Sequence, residues 1–374
     1  MESRYLSIEP LIEYKSGFHI VLYHGWGTST ESFNSLGRRM AKAGHRVIIP
    51  EILYHDSRNR LKNPFTKEAI QRHFWETIFT SIEEFSDLAT AADLPVSRTV
   101  VIGSSMGGFI ANGVFSRMPN LAGAASINGS GSFLFTEKRF REMDGRPKPT
   151  EKEEANLREF DPKGKGIGAS PVLLLHGSED RTIPVEGQKD YYGYLIESGK
   201  SNVELKLYEG INHQFSEEMV LDLIGWLADL SIEEIISKSL HPDIRQLLAY
   251  ATSEERIEVE YAAYQHDPNR RLYGLKKEGN FIGCIGVEQK GLGQLEIIHL
   301  AVSPVNRKAG AGKKLVEWVF RTYYPKVMIA ETDSEAVGFY RKLGFEVHSL
   351  GEKYPGVERF LCKRSSANSE EQNK

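Results

Sequence analysis

Cysteine is nearly absent: Cys284 and Cys362 are the only two in 374 residues, which excludes a disulfide framework. Both fall in strand-like runs of the last third, where buried free thiols are expected. No apolar run reaches the roughly 18 residues needed to span a bilayer, so no membrane segment is expected. Met1–Pro10 mixes Glu, Arg and Ser with apolar residues and lacks the apolar core of a signal peptide, so a cytoplasmic location is expected. No dense Lys/Arg block occurs and the net charge is −4, which argues against a nucleic-acid partner. No internal repeat is present, so a chain of this length reads as two unlike domains.

The first part alternates short apolar strands with amphipathic helices. Strands are expected at Phe18–Tyr23, His45–Pro50, Thr99–Ile102, Gly123–Ile127, Pro171–Leu175 and Val203–Tyr208, with helices at Ser32–Ala43, Lys67–Ala91, Gly107–Arg117 and Met219–Leu230. Near-continuous apolar strands between helices imply an α/β fold, a mostly parallel sheet covered on both faces. The polar stretch 129–169 reads as a small cap inserted over the sheet edge, and 231–242 as a linker. Beyond it, helices near 243–250 and 253–265 precede strands at 271–276, 281–288 and 294–302. A helix at 312–322, a strand at 327–330, a helix at 335–343 and two last strands complete a smaller α+β domain, 243–364, and residues 365–374 are expected to be disordered.

Gly103-Ser104-Ser105-Met106-Gly107 fits G-x-S-x-G between a strand and a helix. This is the setting of a nucleophile elbow, where Ser105 sits on a strained turn. His24-Gly25-Trp26-Gly27 ends the first strong strand and offers the Trp26 N–H as one oxyanion donor, with the Met106 N–H at the following helix start as the other. The His24 side chain itself reads as a brace for that loop. Asp180 lies in the loop after Pro171–Leu175, and its spacing from the strand favours it over Glu179. Among 11 histidines only His213 follows the final strand in a loop. The chain order Ser105, Asp180, His213 suits a serine hydrolase that works through an acyl-enzyme, with no cofactor.

These blocks (HGWG, GSSMGG, HGSEDRTIP and GINHQF, in that order) resemble the α/β-hydrolase superfamily, in the branch of small bacterial esterases similar to dienelactone hydrolases and prolyl-oligopeptidase catalytic domains. The likeness implies an esterase domain over residues 1–230 acting on a small-molecule ester, with reduced first edge strands because few residues precede Tyr23. Glu51-Ile-Leu-Tyr-His-Asp56 and His73-Phe-Trp75 also resemble blocks of one esterase subgroup. Bulky Trp26 and Phe109 suggest a restricted pocket for short acyl groups.

In the second part, strand Leu295–Val302 leads into Arg307-Lys308-Ala309-Gly310-Ala311-Gly312-Lys313 and a helix. Consecutive amides at a helix start form an anion cradle, and Arg307 and Lys313 add charge for a pyrophosphate. The R-x-x-G-x-G pattern at Arg307, Gly310 and Gly312, with Ala336, Phe339, Tyr340, Lys342, Gly344 and Phe345 further on, resembles the GCN5-related N-acetyltransferases (GNAT), which use acetyl-CoA. That resemblance implies pantetheine pairing with the backbone of Leu300, Ala301 and Val302, Tyr340 as the acid that reprotonates the thiolate, and Glu296 as a base. Two departures stand out: the family's first strand is not evident, and Asp333 stands where Asn is frequent. The reading is a bifunctional chain, an ester hydrolase fused to an acetyltransferase for an amine acceptor. The alternatives are a GNAT domain that only senses acetyl-CoA and regulates the esterase, or a first domain acting as thioesterase or small peptidase.

Overall fold

The computed structural model describes residues 4–10, 18–277, 280–291, 293–354 and 356–366. The chain divides into two compact units, Met1–Leu230 and Ser231–Lys374. The first unit holds strands β1 (Tyr5–Ile8), β2 (His19–Tyr23), β3 (Arg46–Pro50), β4 (Thr99–Ser104), β5 (Gly123–Ile127), β6 (Val172–Gly177) and β7 (Val203–Tyr208). They form one sheet in the order β1-β3-β2-β4-β5-β6-β7, and only β1 runs antiparallel to its neighbour. The edge the sequence led us to expect as reduced therefore carries one short antiparallel strand. Alternate residues of each strand feed two different cores. Val21, Tyr23, Ile48 and Val101 join Phe109 and Phe133 on one face. Ile20, Leu22, Ile49 and Ile102 join Met219 and Leu223 on the other. Burial on both faces is why the inner strands β2, β3, β4 and β6 read as nearly unbroken apolar runs, whereas the edge strand β7, Val-Glu-Leu-Lys-Leu-Tyr, alternates.

Strand order reverses between β2 and β4, so the turns after these two strands open beside each other at a switch point. Two sequence expectations need correction here. The expected helix 67–91 is two helices, Lys67–Glu83 and Phe85–Ala91, interrupted at Glu84, whose carboxylate Arg58 holds at 2.7 and 2.8 Å. The stretch 129–169 does not lie over the sheet edge. It folds between the inner strands β5 and β6 as helices Phe133–Asp144 and Glu151–Phe160, and Phe133 is fully buried. Asp161 ties its start down by accepting the Phe133 and Leu134 amides at 3.0 Å each.

The second unit is a seven-stranded sheet of β8 (Ile232–Glu234), β9 (Arg270–Lys277), β10 (Asn280–Gln289), β11 (Gln294–Val302), β12 (Val327–Asp333), β13 (Glu346–Tyr354) and β14 (Val357–Ser365). The order is β13-β14-β12-β11-β10-β9-β8, and only β11 and β12 are parallel. Helices Pro242–Leu248 and Ile257–His266 pack with Leu272, Cys284 and Ala301 in one core. Helices Ala311–Tyr323 and Val337–Lys342 pack with Ile285, Val287 and Met328 in the other. The segment expected as a linker, 231–242, in fact supplies β8, which pairs Ile232 with Leu275 and Glu234 with Tyr273. It is the strand that the sequence led us to think was missing. Both cysteines are free and buried. Ser365 still belongs to β14, and the tail beyond Ser366 lies outside the described residues. Among the described residues no helix is long and apolar enough to cross a membrane.

Candidate active sites

Ser105 occupies the turn between β4 and the helix Met106–Arg117 with φ 57° and ψ −121°, a strained conformation for a residue with a Cβ. Glycines make the turn possible. A Cβ on Gly103 would lie 1.8 Å from the Gly107 carbonyl oxygen, and one on Gly107 would lie 2.2 Å from that of Tyr23. The elbow is thus clamped backbone to backbone between β2, β4 and the helix start.

The geometry brings Ser105, His213 and Asp180 together. Ser105 Oγ lies 2.9 Å from His213 Nε2, and His213 Nδ1 lies 2.7 Å from Asp180 Oδ2. An ionised carboxylate only accepts, so Nδ1 carries the imidazole proton and Nε2 turns its lone pair to the serine hydroxyl. Asp180 is buried, and its other oxygen, Oδ1, accepts the Thr182 and Ile183 amides at 2.9 Å each. Burial alone would raise this carboxyl. Hydrogen bonds from His176 and His213 outweigh it and hold Asp180 well below the usual carboxylate range. His176 is fully buried, with Nε2 3.0 Å from the Ile183 carbonyl and 3.3 Å from Asp180 Oδ2. Sequence reasoning missed this neighbour of the acid, although it lies in the same His-Gly-Ser-Glu-Asp block.

The turn after β2 lies against the serine: a Cβ on Gly25 would be 3.2 Å from Ser105 Cβ. Among the described residues, neither the Trp26 nor the Met106 N–H has a protein acceptor. His24 is fully buried and braces the turn, with Nδ1 3.0 Å from the Gly25 carbonyl and Nε2 3.2 Å from Asp56.

A cavity of about 220 Å³ opens at Ser105. Trp26, Ile70, Phe74, Trp75, Phe140 and Met143 supply its apolar wall. Phe109 does not line it; the ring is fully buried one layer back, packed edge-on against Phe74 and Trp75. The pocket is therefore not narrowed by Phe109, contrary to the sequence expectation. Its polar end is an ion cluster around the buried Glu137, which accepts from Trp75 Nε1 at 2.8 Å and from the partly exposed Arg141 at 2.6 Å and Arg146 at 3.2 Å. A larger cavity, about 300 Å³, is lined by Arg4, Tyr23, Arg58, Ser81 and Glu84, but its lining holds no histidine to activate Ser81, whose hydroxyl donates to the Thr77 carbonyl at 2.8 Å, so the smaller one is the candidate substrate pocket.

In the second unit, β11 pairs with β12 only from Gln294 to Ile297, while on its other side it stays paired with β10 to Val302. The parallel strands thus fork, and the backbone of Leu300, Ala301 and Val302 is left without a β12 partner. Arg307, Lys308, Ala309 and Gly310 lead from this edge to the helix that opens at Ala311, Gly312 and Lys313. Lys308 and Gly310 take positive φ, 63° and 86°, which turns the chain sharply into the helix. Gly312 packs closely under Phe339, whose ring lies 3.2 Å from where a Cβ would be. Arg307 Nε donates to the Val302 carbonyl at 3.1 Å. Tyr340 is buried between Phe339 and Phe345, and burial pushes its phenol up.

The structure does not bring Glu296 to this fork. It sits in the paired half of β11, opposite Glu288, and is bound by Lys290 at 3.2 Å. A bulge at Ile298 separates it from Leu300–Val302, which the strand's residue pattern does not reveal. Asp333 Oδ1 accepts the Glu335 and Ala336 amides at 3.0 and 3.1 Å and so holds the turn before the helix Val337–Lys342; an asparagine oxygen would accept the same two amides, and nothing in the structure explains the acid here. Among the described residues no cluster of His, Cys, Asp or Glu could hold a metal ion.

Comparison with known proteins agrees with this division. The dienelactone hydrolase family model matches residues 16–221, and an acetyltransferase (GNAT) domain model matches residues 268–347. Esterase YjfP of Escherichia coli is 28% identical over 213 residues, 53% of this chain and 83% of its own. An uncharacterized N-acetyltransferase in the lysA 3′ region of Bacillus methanolicus is 29% identical over 93 residues, 24% of this chain and 78% of its own. A solved structure from Thermus thermophilus, 20% identical with a TM-score of 0.47, covers 62% of this chain and 98% of its own. With the hydrolase model spanning more than half of its length, the chain belongs to the dienelactone hydrolase family and carries a GNAT domain C-terminal to that region.

Proposed function

We propose that the first unit is a serine ester hydrolase and that Ser105, His213 and Asp180 are its catalytic triad. The observation that carries this reading is the continuous chain of contacts from Ser105 Oγ through His213 to Asp180, at 2.9 and 2.7 Å, on a strained elbow. His213 Nε2 takes the Ser105 proton as the oxygen attacks the ester carbonyl. The Trp26 and Met106 amides hold the oxyanion, helped by the positive end of the Met106–Arg117 helix. His213 returns the proton to the leaving alkoxide, and an acyl group stays on Ser105. Water, deprotonated by the same imidazole, then releases it. The size and aromatic lining of the pocket suit an uncharged ester whose apolar group is larger than acetyl.

The second unit suits acetyl-CoA as cosubstrate. Its open β11 edge, Leu300–Val302, offers backbone groups to a pantetheine amide chain, and the amides from Lys308 to Lys313 offer an anion cradle. Acetyl-CoA would supply an acetyl thioester for transfer to an amine. Tyr340 Oη is the candidate donor to the departing thiolate, and Arg307 and Lys313 would neutralise phosphate charge.

The test is hydrolysis of p-nitrophenyl acetate and butyrate by wild type and Ser105→Ala. A mutant rate lower by several orders of magnitude supports the reading, with butyrate preferred over acetate. Equal slow rates overturn it, and a preference for thioesters or amides would reassign the substrate class. For the second unit, acetyl-CoA turnover on an amine panel, followed by thiol release, separates transfer from binding alone.

A further inference from the structure

The segment 53–65 touches the turn that carries the Trp26 amide at four points. His55 Nε2 accepts the Gly27 N–H at 2.8 Å. Asp56 meets His24 at 3.2 Å with one oxygen and accepts both the Thr30 amide (3.0 Å) and hydroxyl (3.1 Å) with the other. The Pro64 carbonyl accepts Trp26 Nε1 at 2.8 Å. Phe65 lies over Gly27, where a Cβ would come within 2.3 Å of the ring.

The segment is held in shape for this. Tyr54, Asp56 and Asn59 all have positive φ, an accumulation of backbone strain in six residues that the surroundings must sustain. Arg58 anchors it through Glu84 and the Glu51 carbonyl. The Leu53 carbonyl accepts from His55 Nδ1 at 2.9 Å, which fixes the tautomer and leaves Nε2 as a lone pair.

We propose that His55 is a positioning residue for ester hydrolysis: as a neutral imidazole it accepts the Gly27 N–H and so aims the adjacent Trp26 N–H at the oxyanion, with Asp56 clamping the far end of the same turn. The inference rests on the hydrolase reading above. It assigns a role to the Glu51–Asp56 block, which the triad leaves unused. A protonated His55 would point N–H at N–H and release the turn. Burial lowers its pKa to about 4, and the charged or titratable neighbours that face it are His24, Asp56 and Arg60. Its ring also meets Trp26 edge-on at 5.1 Å.

The experiment measures kcat and KM on p-nitrophenyl butyrate for wild type, H55F, H55N and H55Q against the Ser105→Ala background, with hydrogen exchange of residues 24–30 by mass spectrometry. In H55Q the amide oxygen falls where Nε2 was, so kcat stays within about threefold of wild type. H55F, and H55N whose shorter amide does not reach Gly27, lose about ten- to a hundredfold in kcat with KM nearly unchanged, part of the cost of one oxyanion donor. Residues 24–30 exchange faster in both. H55N keeps the test open should H55F not fold. Wild-type kcat and exchange in H55N would overturn the positioning role while leaving the triad standing. A wild type no faster than Ser105→Ala would overturn the hydrolase reading, and this role with it.

Discussion

Replacing Asp180 by asparagine tests whether the acid acts through the imidazole tautomer. The Thr182 and Ile183 amides both donate to Oδ1 at 2.9 Å, so an asparagine at 180 must keep its carbonyl oxygen there. Its NH2 group then occupies the Oδ2 position, 2.7 Å from His213 Nδ1 and 3.3 Å from His176 Nε2. A donor facing Nδ1 forces the proton onto Nε2, which then offers Ser105 an N–H and no lone pair. His176 keeps the Ile183 carbonyl at 3.0 Å, so the fold should tolerate the change. In the well-studied serine protease triad such a replacement lowers kcat about 10⁴-fold with geometry intact. We expect a loss of 10³- to 10⁴-fold in kcat, or about 4–5.5 kcal/mol of transition-state stabilisation, with KM changed less than about threefold. Steady-state hydrolysis of p-nitrophenyl butyrate at pH 8, with urea unfolding as a control for stability, measures both. A loss under about tenfold in a folded Asp180→Asn protein would refute the tautomer argument.

Gly107→Ala places a methyl carbon 2.2 Å from the Tyr23 carbonyl, where only backbone can move; a loss of about 3 kcal/mol or more in urea unfolding is expected, with ester hydrolysis abolished. His55 adds a pH dependence to stability. Its pKa falls from 6.5 unfolded to about 4 folded, so the unfolded chain takes up the proton first as pH drops. Its stabilisation is complete above pH 6.5 and is lost between there and about 4, so wild type should lose on the order of 2 kcal/mol more than H55Q between pH 7.5 and 4.5. Arg307→Ala should weaken acetyl-CoA binding about tenfold by calorimetry through loss of a phosphate contact, while leaving ester hydrolysis unchanged.

The parts of the site that chemistry restricts most were readable from residue order. Ser105 needs glycines at 103 and 107 because backbone passes within contact distance of both, and that demand is written into G-x-S-x-G. Asp180 and His213 follow β6 and β7, which run parallel, and this places them at the same end of the sheet. The partners that hold them were harder to see. His176 meets a backbone carbonyl and Asp180 through one nitrogen, and His55 meets two backbone groups through both of its nitrogens; nothing in their local sequence distinguishes this from ordinary burial. Phe109 was misplaced because the helix Met106–Arg117 is buried all round, so its sequence does not say which side faces the pocket. β8 was hidden for the opposite reason: three residues, Ile-Glu-Glu, at a sheet edge carry too little alternation to stand out from a linker. The fork between β11 and β12 depends on where pairing stops and on one bulged residue, and strand propensity records neither.

The most direct test of the hydrolase reading is to treat the protein with a fluorophosphonate, locate the adduct by peptide mass spectrometry and compare esterase activity before and after. A single phosphonyl group on Ser105, loss of ester hydrolysis in proportion to labelling, and no labelling of Ser105→Ala are the expected results. Labelling elsewhere, or full hydrolysis by a protein fully modified at Ser105, would contradict Ser105 as the nucleophile.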